Sequence, residues 1–172
     1  MTATTRNTST SRTDQPIHQL VIRAKRAVFP DGIRPAVVVV DDERITALLE
    51  DGAAVEAREE IVVPDDQVLM PGLVDSHVHV NEPGRTAWEG YESATRAGLA
   101  GGITTILDMP LNSSPPTTTV DNLDAKEEAA QGKLSVDVGF WGGAVPGNID
   151  QLAPLWDRGV FGFKCFTAHS GL

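Results

Sequence analysis

The pattern of apolar and polar positions divides the sequence into two parts. From about residue 18 to residue 63, short β-prone apolar runs alternate with polar turns that are rich in Asp, Gly and Pro. Strands are predicted at 18–29, 35–40, 45–49 and 61–63, with a short helical turn within 53–60. Short strands joined by tight turns predict that residues 17–67 form the N-terminal part of a small β-sandwich.

After residue 67, apolar segments of strand length alternate with segments of helical composition. The predicted strands are 68–80, 103–109, 136–141 and 160–166, and the predicted helices are 88–100, 120–131 and 149–158. A glycine-rich loop is expected at 142–147. This alternation predicts a parallel sheet covered by helices. It fits an open doubly wound sheet or the first half of a (β/α)8 barrel, since a full barrel takes about 250 residues.

Composition narrows the possible functions. A net charge of −10 argues against non-specific binding to nucleic acid or to an anionic membrane. No apolar run approaches the roughly 18 residues of a membrane span. The single cysteine, Cys165, allows no internal disulfide and suits a reducing compartment, so a cytoplasmic location is expected. Residues 1–16 are rich in Thr and Ser and are predicted to be a disordered tail.

The sharpest chemical feature is the run DSHVHV at positions 75–80. Alternate side chains of a strand share a face, so His77 and His79 point the same way, as does Asp75. Two imidazoles at a strand end can hold one metal ion, and Asp75 could contact that ion or orient a histidine. The alternative is a pair of ordinary histidines near a loop. Catalytic groups collect at the carboxyl ends of parallel strands, which favours the metal site.

Lys164 is the second feature, because it lies within the apolar run GFKCF at 162–166. A buried lysine is costly unless it is paired or modified. An ammonium has no lone pair, so Lys164 could serve a metal site only if neutral or converted to an acid. The alternative is a lysine that extends its amine to solvent. Cys165 should face the opposite way as a small buried residue, and His169 is assigned a structural role.

Together these features resemble the amidohydrolase superfamily, in particular its cyclic amidohydrolases, which include dihydroorotase, hydantoinase, dihydropyrimidinase and allantoinase. The resemblance implies that His77 and His79 end the first barrel strand and bind metal. It implies that Lys164, 87 positions after His77, is an N6-carboxylysine that bridges two divalent ions, Zn²⁺ first, with Co, Fe or Mn as alternatives. Carbon dioxide would supply the carboxyl group. The implied α/β fold is the first half of a TIM-like barrel over 68–172, after the β-sandwich segment.

Within that group the chain is most similar to allantoinases. The similar runs are NEPGRTAWEG at 81–90, GGITT at 101–105, DMPLNS at 108–113, GFWGG at 139–143 and GFKCF at 162–166. Asn81 stands where dihydroorotases have Arg and hydantoinases usually Asp, and its amide could meet the amide and ureido groups of allantoin. Asn112 is the other candidate substrate contact. The resemblance implies hydrolysis of allantoin to allantoate in purine catabolism by a homotetramer.

Two alternatives stay open: a hydantoinase or dihydropyrimidinase, and a non-catalytic structural homologue. In the family, two further histidines and a general-base aspartate come from later strands, so they would lie beyond Leu172. We therefore expect no catalytic base within residues 1–172. A half-barrel also leaves strand edges and apolar surface uncovered. This N-terminal portion is expected to be inactive and poorly stable by itself.

Overall fold

The computed structural model of the protein describes residues 17–168. The chain divides into two compact units, Met1–Pro71 and Gly72–Leu172, and each unit is described separately below. The tail predicted at 1–16 and the residue His169 lie outside the described residues. Within the described span, no helix is both long enough and apolar enough to cross a lipid bilayer.

The described residues of the first unit, from residue 17 onward, form one four-stranded sheet. Its strands are β1 (His18–Phe29), β2 (Gly32–Asp41), β3 (Arg44–Leu49) and β4 (Ala57–Val62), in the order β3-β2-β1-β4. The β1–β2 and β2–β3 pairs are antiparallel hairpins, whereas β4 lies parallel to β1. The helical turn expected within 53–60 is wrong, because residues from Ala57 onward pair with β1 and their backbone groups are satisfied there.

The valine run forms the centre of this unit. Val37 and Val39 on β2 pack with Val21 on β1, and all three are almost fully buried. Val37 and Val39 share one face of β2, and Ala36 and Val38 on the opposite face are buried as well, so the centre of this strand is covered on both sides. Burial of each such side chain contributes about 1.5–3 kcal/mol of hydrophobic stabilisation.

The second unit has the predicted alternation of strands and helices and is a mixed α/β structure. Its elements are β5 (Leu73–Val78), α1 (Tyr91–Ala100), β6 (Ile103–Asp108), α2 (Val120–Ala130), β7 (Asp137–Phe140), β8 (Gly142–Gly143), α3 (Ile149–Asp157) and β9 (Phe163–Lys164). Strands β5, β6 and β7 form a parallel sheet in that order, and β8 pairs in parallel with β9. Their carboxyl ends therefore lie at the same edge within each sheet.

Several boundaries differ from the prediction, and the strand expected at 68–80 is reduced to β5 (Leu73–Val78). Helix α1 begins at Tyr91 rather than at residue 88. The loop expected at 142–147 begins with β8, and the strand expected at 160–166 is reduced to β9. A pair of two-residue strands carries no detectable period, so the pattern of apolar positions could not place it.

Local signals in the sequence fix the ends of two helices. The Thr119 hydroxyl accepts a hydrogen bond of 3.2 Å from the Asn122 amide at the start of α2, as an N-cap residue does. Helix α1 is followed by Gly102, whose φ of 83° lies in the left-handed region that glycine adopts without strain. The start of α2 thus ends the loop that follows β6, and the end of α1 leads directly into β6.

We predict a pH-dependent contribution to stability from Asp41 in the first unit. Its carboxylate lies 2.7 Å from Nδ1 of His18 and accepts hydrogen bonds from the Gln19 amide at 2.8 Å and the Thr46 hydroxyl at 3.1 Å. The hydrogen bond from His18, then that from Gln19, lowers the pKa of Asp41. Because the folded-state pKa is the lower one, the stabilisation is present above the unfolded-state pKa of about 3.9 and is lost as pH falls through the folded-state pKa.

The Asp41→Asn variant should therefore unfold at a lower temperature than wild type near neutral pH, and the gap should close in acid. Circular dichroism melting curves at several pH values measure this gap. The variant Asp66→Asn, at an exposed position, is the control. A gap for Asp41→Asn that is independent of pH would contradict the prediction.

Candidate metal centre

The ends of β5 and β9 bring one amine and two imidazoles together. Lys164 Nζ lies 3.1 Å from Nε2 of His77 and 3.4 Å from Nε2 of His79. The two imidazole centroids are 5.5 Å apart. His77 lies on β5 and His79 directly follows the last residue of that strand, and Lys164 approaches both rings from β9, 85 residues after His79.

The ring of His79 is held by a main-chain contact. Its Nδ1 lies 3.3 Å from the Leu111 carbonyl oxygen. A carbonyl oxygen can only accept a hydrogen bond, so Nδ1 carries the proton and donates. The lone pair of the neutral ring is then on Nε2, which faces Lys164. Contacts of this kind fix the tautomer and orientation of metal-binding histidines.

Lys164 is half-buried rather than enclosed, and its Nζ also lies 5.2 Å from the Phe166 ring centroid. The expectation for its neighbour is wrong: Cys165 is exposed. Only Phe163 and Lys164 belong to β9, so the strand ends before Cys165 and the alternation of buried and exposed faces does not extend to it.

The other residues singled out in the sequence occupy separate positions. Asp75 accepts a hydrogen bond of 3.0 Å from the His77 main-chain N–H and so braces the backbone between them. Asn81 is buried, and its Oδ1 has no hydrogen-bond partner among the described residues. Asn112 is exposed with a φ of 73°. Within 17–168, no hydrogen bond joins either asparagine side chain to His77, His79 or Lys164.

Glycines opposite aromatic rings allow β9 and the residue before it to pack closely against residues 141 and 142. A Cβ atom added at Gly162 would lie 2.5 Å from Trp141 Cζ3, and one added at Gly142 would lie 2.7 Å from Phe163 Cε1. Real Cβ atoms do not approach that closely, so each ring occupies space that only glycine leaves free. The glycines in the runs at 139–143 and 162–166 therefore act through packing that places Lys164.

A buried polar cluster joins α2 to the end of β6, and sequence reasoning missed it. Lys126 Nζ lies 3.0 Å from Asp108 Oδ2, and the Tyr91 hydroxyl donates to the same oxygen at 2.8 Å. All three side chains are fully buried. Burial raises the pKa of Asp108 and lowers the pKa of Lys126, while the attraction between the two groups opposes both shifts.

Helical spacing is the signal that could have found Lys126. On α2, the buried residues are Leu123, Lys126 and Ala130, at the i, i+3 and i+7 spacing of one helix face. A lysine on that face must be paired, because an isolated buried charge is strongly unfavourable.

The donor set fits a metal ion only in part. Among residues 17–168, no group of three or more His, Cys, Asp and Glu side chains is arranged to hold one. The cluster at the ends of β5 and β9 instead contains two imidazoles and a lysine. Imidazole nitrogens are ligands for Zn²⁺ and related ions, whereas a protonated lysine amine has no lone pair and could join them only if it were neutral or converted to an anionic group.

Comparison with models of protein families identifies the family of this chain. Residues 68–169 match the model of the amidohydrolase family. The chain belongs to the amidohydrolase family. The matched region contains β5 to β9 and hence all three residues of the cluster.

Members of this family with curated descriptions include close relatives of the chain. It is 57% identical over 154 residues to an allantoinase of Streptomyces avermitilis, a match of 90% of this chain and 35% of that protein. It is 49% identical to an allantoinase of Saccharomyces cerevisiae (88% of this chain, 35% of the relative) and 49% identical to a mitochondrial allantoinase of Aquarana catesbeiana (88% and 31%). The chain thus spans about a third of the length of these relatives.

Solved structures of amidohydrolases share the same fold. The L-hydantoinase (dihydropyrimidinase) of Arthrobacter aurescens superposes with a TM-score of 0.83 at 35% identity, and the match covers 90% of this chain and 34% of that one. A D-hydantoinase structure superposes with a TM-score of 0.75 at 27% identity and the same coverage. The sequence is therefore more similar to the allantoinases than to these hydantoinases.

We predict that Gly162→Ala displaces the strand that carries Lys164. The new Cβ would overlap the Trp141 ring, and overpacking of this kind costs about 1–3 kcal/mol of unfolding free energy. Chemical denaturation measures the loss. The matched control is Gly101→Ala, whose Cβ would meet nothing closer than 3.4 Å and should leave stability within about 0.5 kcal/mol of wild type. Equal effects of the two substitutions would refute the packing role of Gly162.

Proposed function

We propose that the protein containing this chain hydrolyses the hydantoin ring of allantoin to allantoate, and that His77, His79 and Lys164 are metal ligands of that enzyme. The observation that carries the proposal is the approach of Lys164 Nζ to the Nε2 atoms of both histidines, at 3.1 and 3.4 Å. The 57% identity to an allantoinase supports the choice of substrate.

Lys164 takes its place in this centre as an N6-carboxylysine. A neutral amine attacks carbon dioxide, a C–N bond forms and a proton leaves, so a cationic side chain becomes an anionic carbamate with two oxygen ligands. That change converts a side chain that would repel a cation at the two imidazoles into one that attracts it. The centre proposed is binuclear, with Zn²⁺ as the first candidate and Co, Fe or Mn as alternatives.

The bound ions would lower the pKa of water and polarise the scissile carbonyl. The residues of this chain would bind the ions and orient the side chains that hold them. His79 keeps its proton on Nδ1 through the Leu111 carbonyl, which leaves Nε2 free as a ligand. Asp75 restrains the main chain at His77. The base that moves the proton to the leaving nitrogen is not among these residues.

Asn81 and Asn112 are the proposed substrate contacts. Asn81 Oδ1 is buried without a hydrogen-bond partner in the described part of the chain, and an unpaired buried amide oxygen is unfavourable until a donor meets it. An N–H group of allantoin would be such a donor. The fold proposed for the complete enzyme is a TIM-like barrel in which β5 to β9 contribute the first strands, and a homotetramer is proposed by family resemblance.

A hydantoinase or dihydropyrimidinase is the second candidate. The superposition on the L-hydantoinase structure, with a TM-score of 0.83, favours it as far as the fold goes. Its 35% identity falls well below the 57% shared with the allantoinase. We therefore rank allantoin first and hydantoin or dihydrouracil second.

The complete protein, purified with metal, should turn over allantoin at least tenfold faster, in kcat/KM, than hydantoin or dihydrouracil. A single assay of released acid with all three substrates measures the ratio. Turnover of hydantoin alone would move the assignment to the second candidate. Absence of turnover together with absence of bound metal would instead favour a non-catalytic homologue.

Replacement of Lys164 tests its proposed carboxylation. Lys164→Arg keeps the positive charge but cannot be carboxylated, because the guanidinium stays protonated; we expect loss of bound metal and at least a thousandfold loss of kcat. Lys164→Ala should be equally inactive, with partial recovery when a small carboxylic acid such as acetate or propionate occupies the vacated space. Lys133→Arg, at a half-buried lysine paired with Glu82, is the control and should keep activity. Full activity of Lys164→Arg would exclude the carbamate.

A further inference from the structure

The buried cluster of Asp108, Lys126 and Tyr91 has no part in the chemistry proposed above. All three side chains are fully buried, and two of them carry ionisable charges. A buried ion pair is often no more stable than well-packed apolar residues of similar volume. The presence of this cluster is therefore better explained by what its hydrogen bonds hold in place than by stability alone.

The hydrogen bonds of the cluster lead to the main chain on both sides of His79. Asp108 Oδ1 accepts from the Val80 amide at 2.9 Å, so the residue after His79 is fixed. The Met109 amide donates to the Val78 carbonyl at 2.7 Å, so the residue before His79 is fixed as well. Two consecutive residues at the end of β6 thus hold the backbone that carries the imidazole.

The same short segment also holds the imidazole ring. The Leu111 carbonyl, two residues after Met109, accepts the hydrogen bond from His79 Nδ1. Backbone position and ring orientation of His79 consequently depend on residues 108–111 together. A shift of that segment would move both at once.

Lys126 anchors this segment from α2. Its Nζ lies 3.0 Å from Asp108 Oδ2 and donates to the Met109 carbonyl at 2.8 Å. Tyr91 donates to the same Asp108 oxygen from the first residue of α1. The charged amine therefore satisfies two acceptors on consecutive residues, which an apolar side chain of equal size could not do.

We propose that Lys126, acting through Asp108 and Met109, is a positioning residue for His79. The inference rests on the proposed function in one respect, namely that His79 binds metal. Lys126 touches neither the ring nor the other two residues of the metal centre; it holds the segment that sets the direction of His79 Nε2. Outer partners of metal-binding histidines change metal affinity by roughly 10- to 100-fold when they are lost.

The test compares Lys126→Met with Leu123→Ala in the complete protein. Leu123 lies on the same buried face of α2 but makes no polar contact with residues 108–111, so its truncation loosens packing without releasing the segment. Zn²⁺ affinity is measured by competition with a chromogenic chelator, and hydrogen exchange of the peptide spanning 78–81 is measured in metal-free protein. Both variants are examined well below their unfolding temperatures.

Lys126→Met should bind Zn²⁺ 10- to 100-fold more weakly and exchange faster at 78–81, while Leu123→Ala should only unfold at lower temperature. Wild-type affinity and exchange in Lys126→Met would overturn the proposal, as would equal changes in the two variants. If Lys126→Met does not fold, Tyr91→Phe removes one hydrogen bond to Asp108 and should shift both readouts in the same direction by a smaller factor. If wild type binds no Zn²⁺, the proposed function fails, and the exchange comparison alone still decides whether Lys126 holds His79.

Discussion

A lysine amine lies against two imidazole nitrogens in the second unit, and this contact sets the demands on the rest of that unit. Lys164 follows His77 by 87 residues and His79 by 85 residues in the sequence. Each side chain can reach the others only if the ends of β5 and β9 are held in place. A protonated lysine adjacent to two imidazoles would repel a cation, whereas the proposed carbamate would attract one.

Two kinds of interaction hold those strand ends: one is steric packing and the other is hydrogen bonding. On the β9 side, the aromatic rings of Trp141 and Phe163 occupy space left by Gly162 and Gly142, and the restraint is steric. On the β5 side, hydrogen bonds from the end of β6 fix the main chain around His79, and the restraint is polar. Added volume at either glycine would displace the aromatic ring opposite it and weaken the steric restraint. Loss of a single hydrogen-bonding partner would break the polar restraint.

The polar restraint costs desolvation free energy, so every buried polar group in it must have a hydrogen-bonding partner. Desolvation of a buried ion costs several kcal/mol, and loss of one partner of a buried pair costs about 3–5 kcal/mol. Asp108 is satisfied by Val80, Tyr91 and Lys126, and Lys126 has a second acceptor at Met109. Full hydrogen bonding is the condition under which such a network orders its surroundings rather than destabilising them.

These features differ in how far the sequence reveals them. The two-residue spacing of His77 and His79 suffices to predict that their side chains lie together, and the βα order follows from the spacing of apolar segments. The first part of β4 was misread as a helical turn because its pairing with β1 depends on partners 39 residues away, between Ala57 and His18. Lys126 was missed because a lysine suits the composition of any helix, and only its place on the buried face distinguishes it.

The contrast between the two lysines supports the role proposed for Lys164. Lys126 is enclosed and lies against the Asp108 carboxylate, so its amine has a carboxylate partner and is shielded from small molecules. Lys164 is half-buried, and no carboxylate within the described residues forms an ion pair with it. An amine must lose its proton and meet carbon dioxide before it can become a carbamate. Of these two lysines, only Lys164 has both the access to solvent and the freedom from a carboxylate partner that this reaction requires.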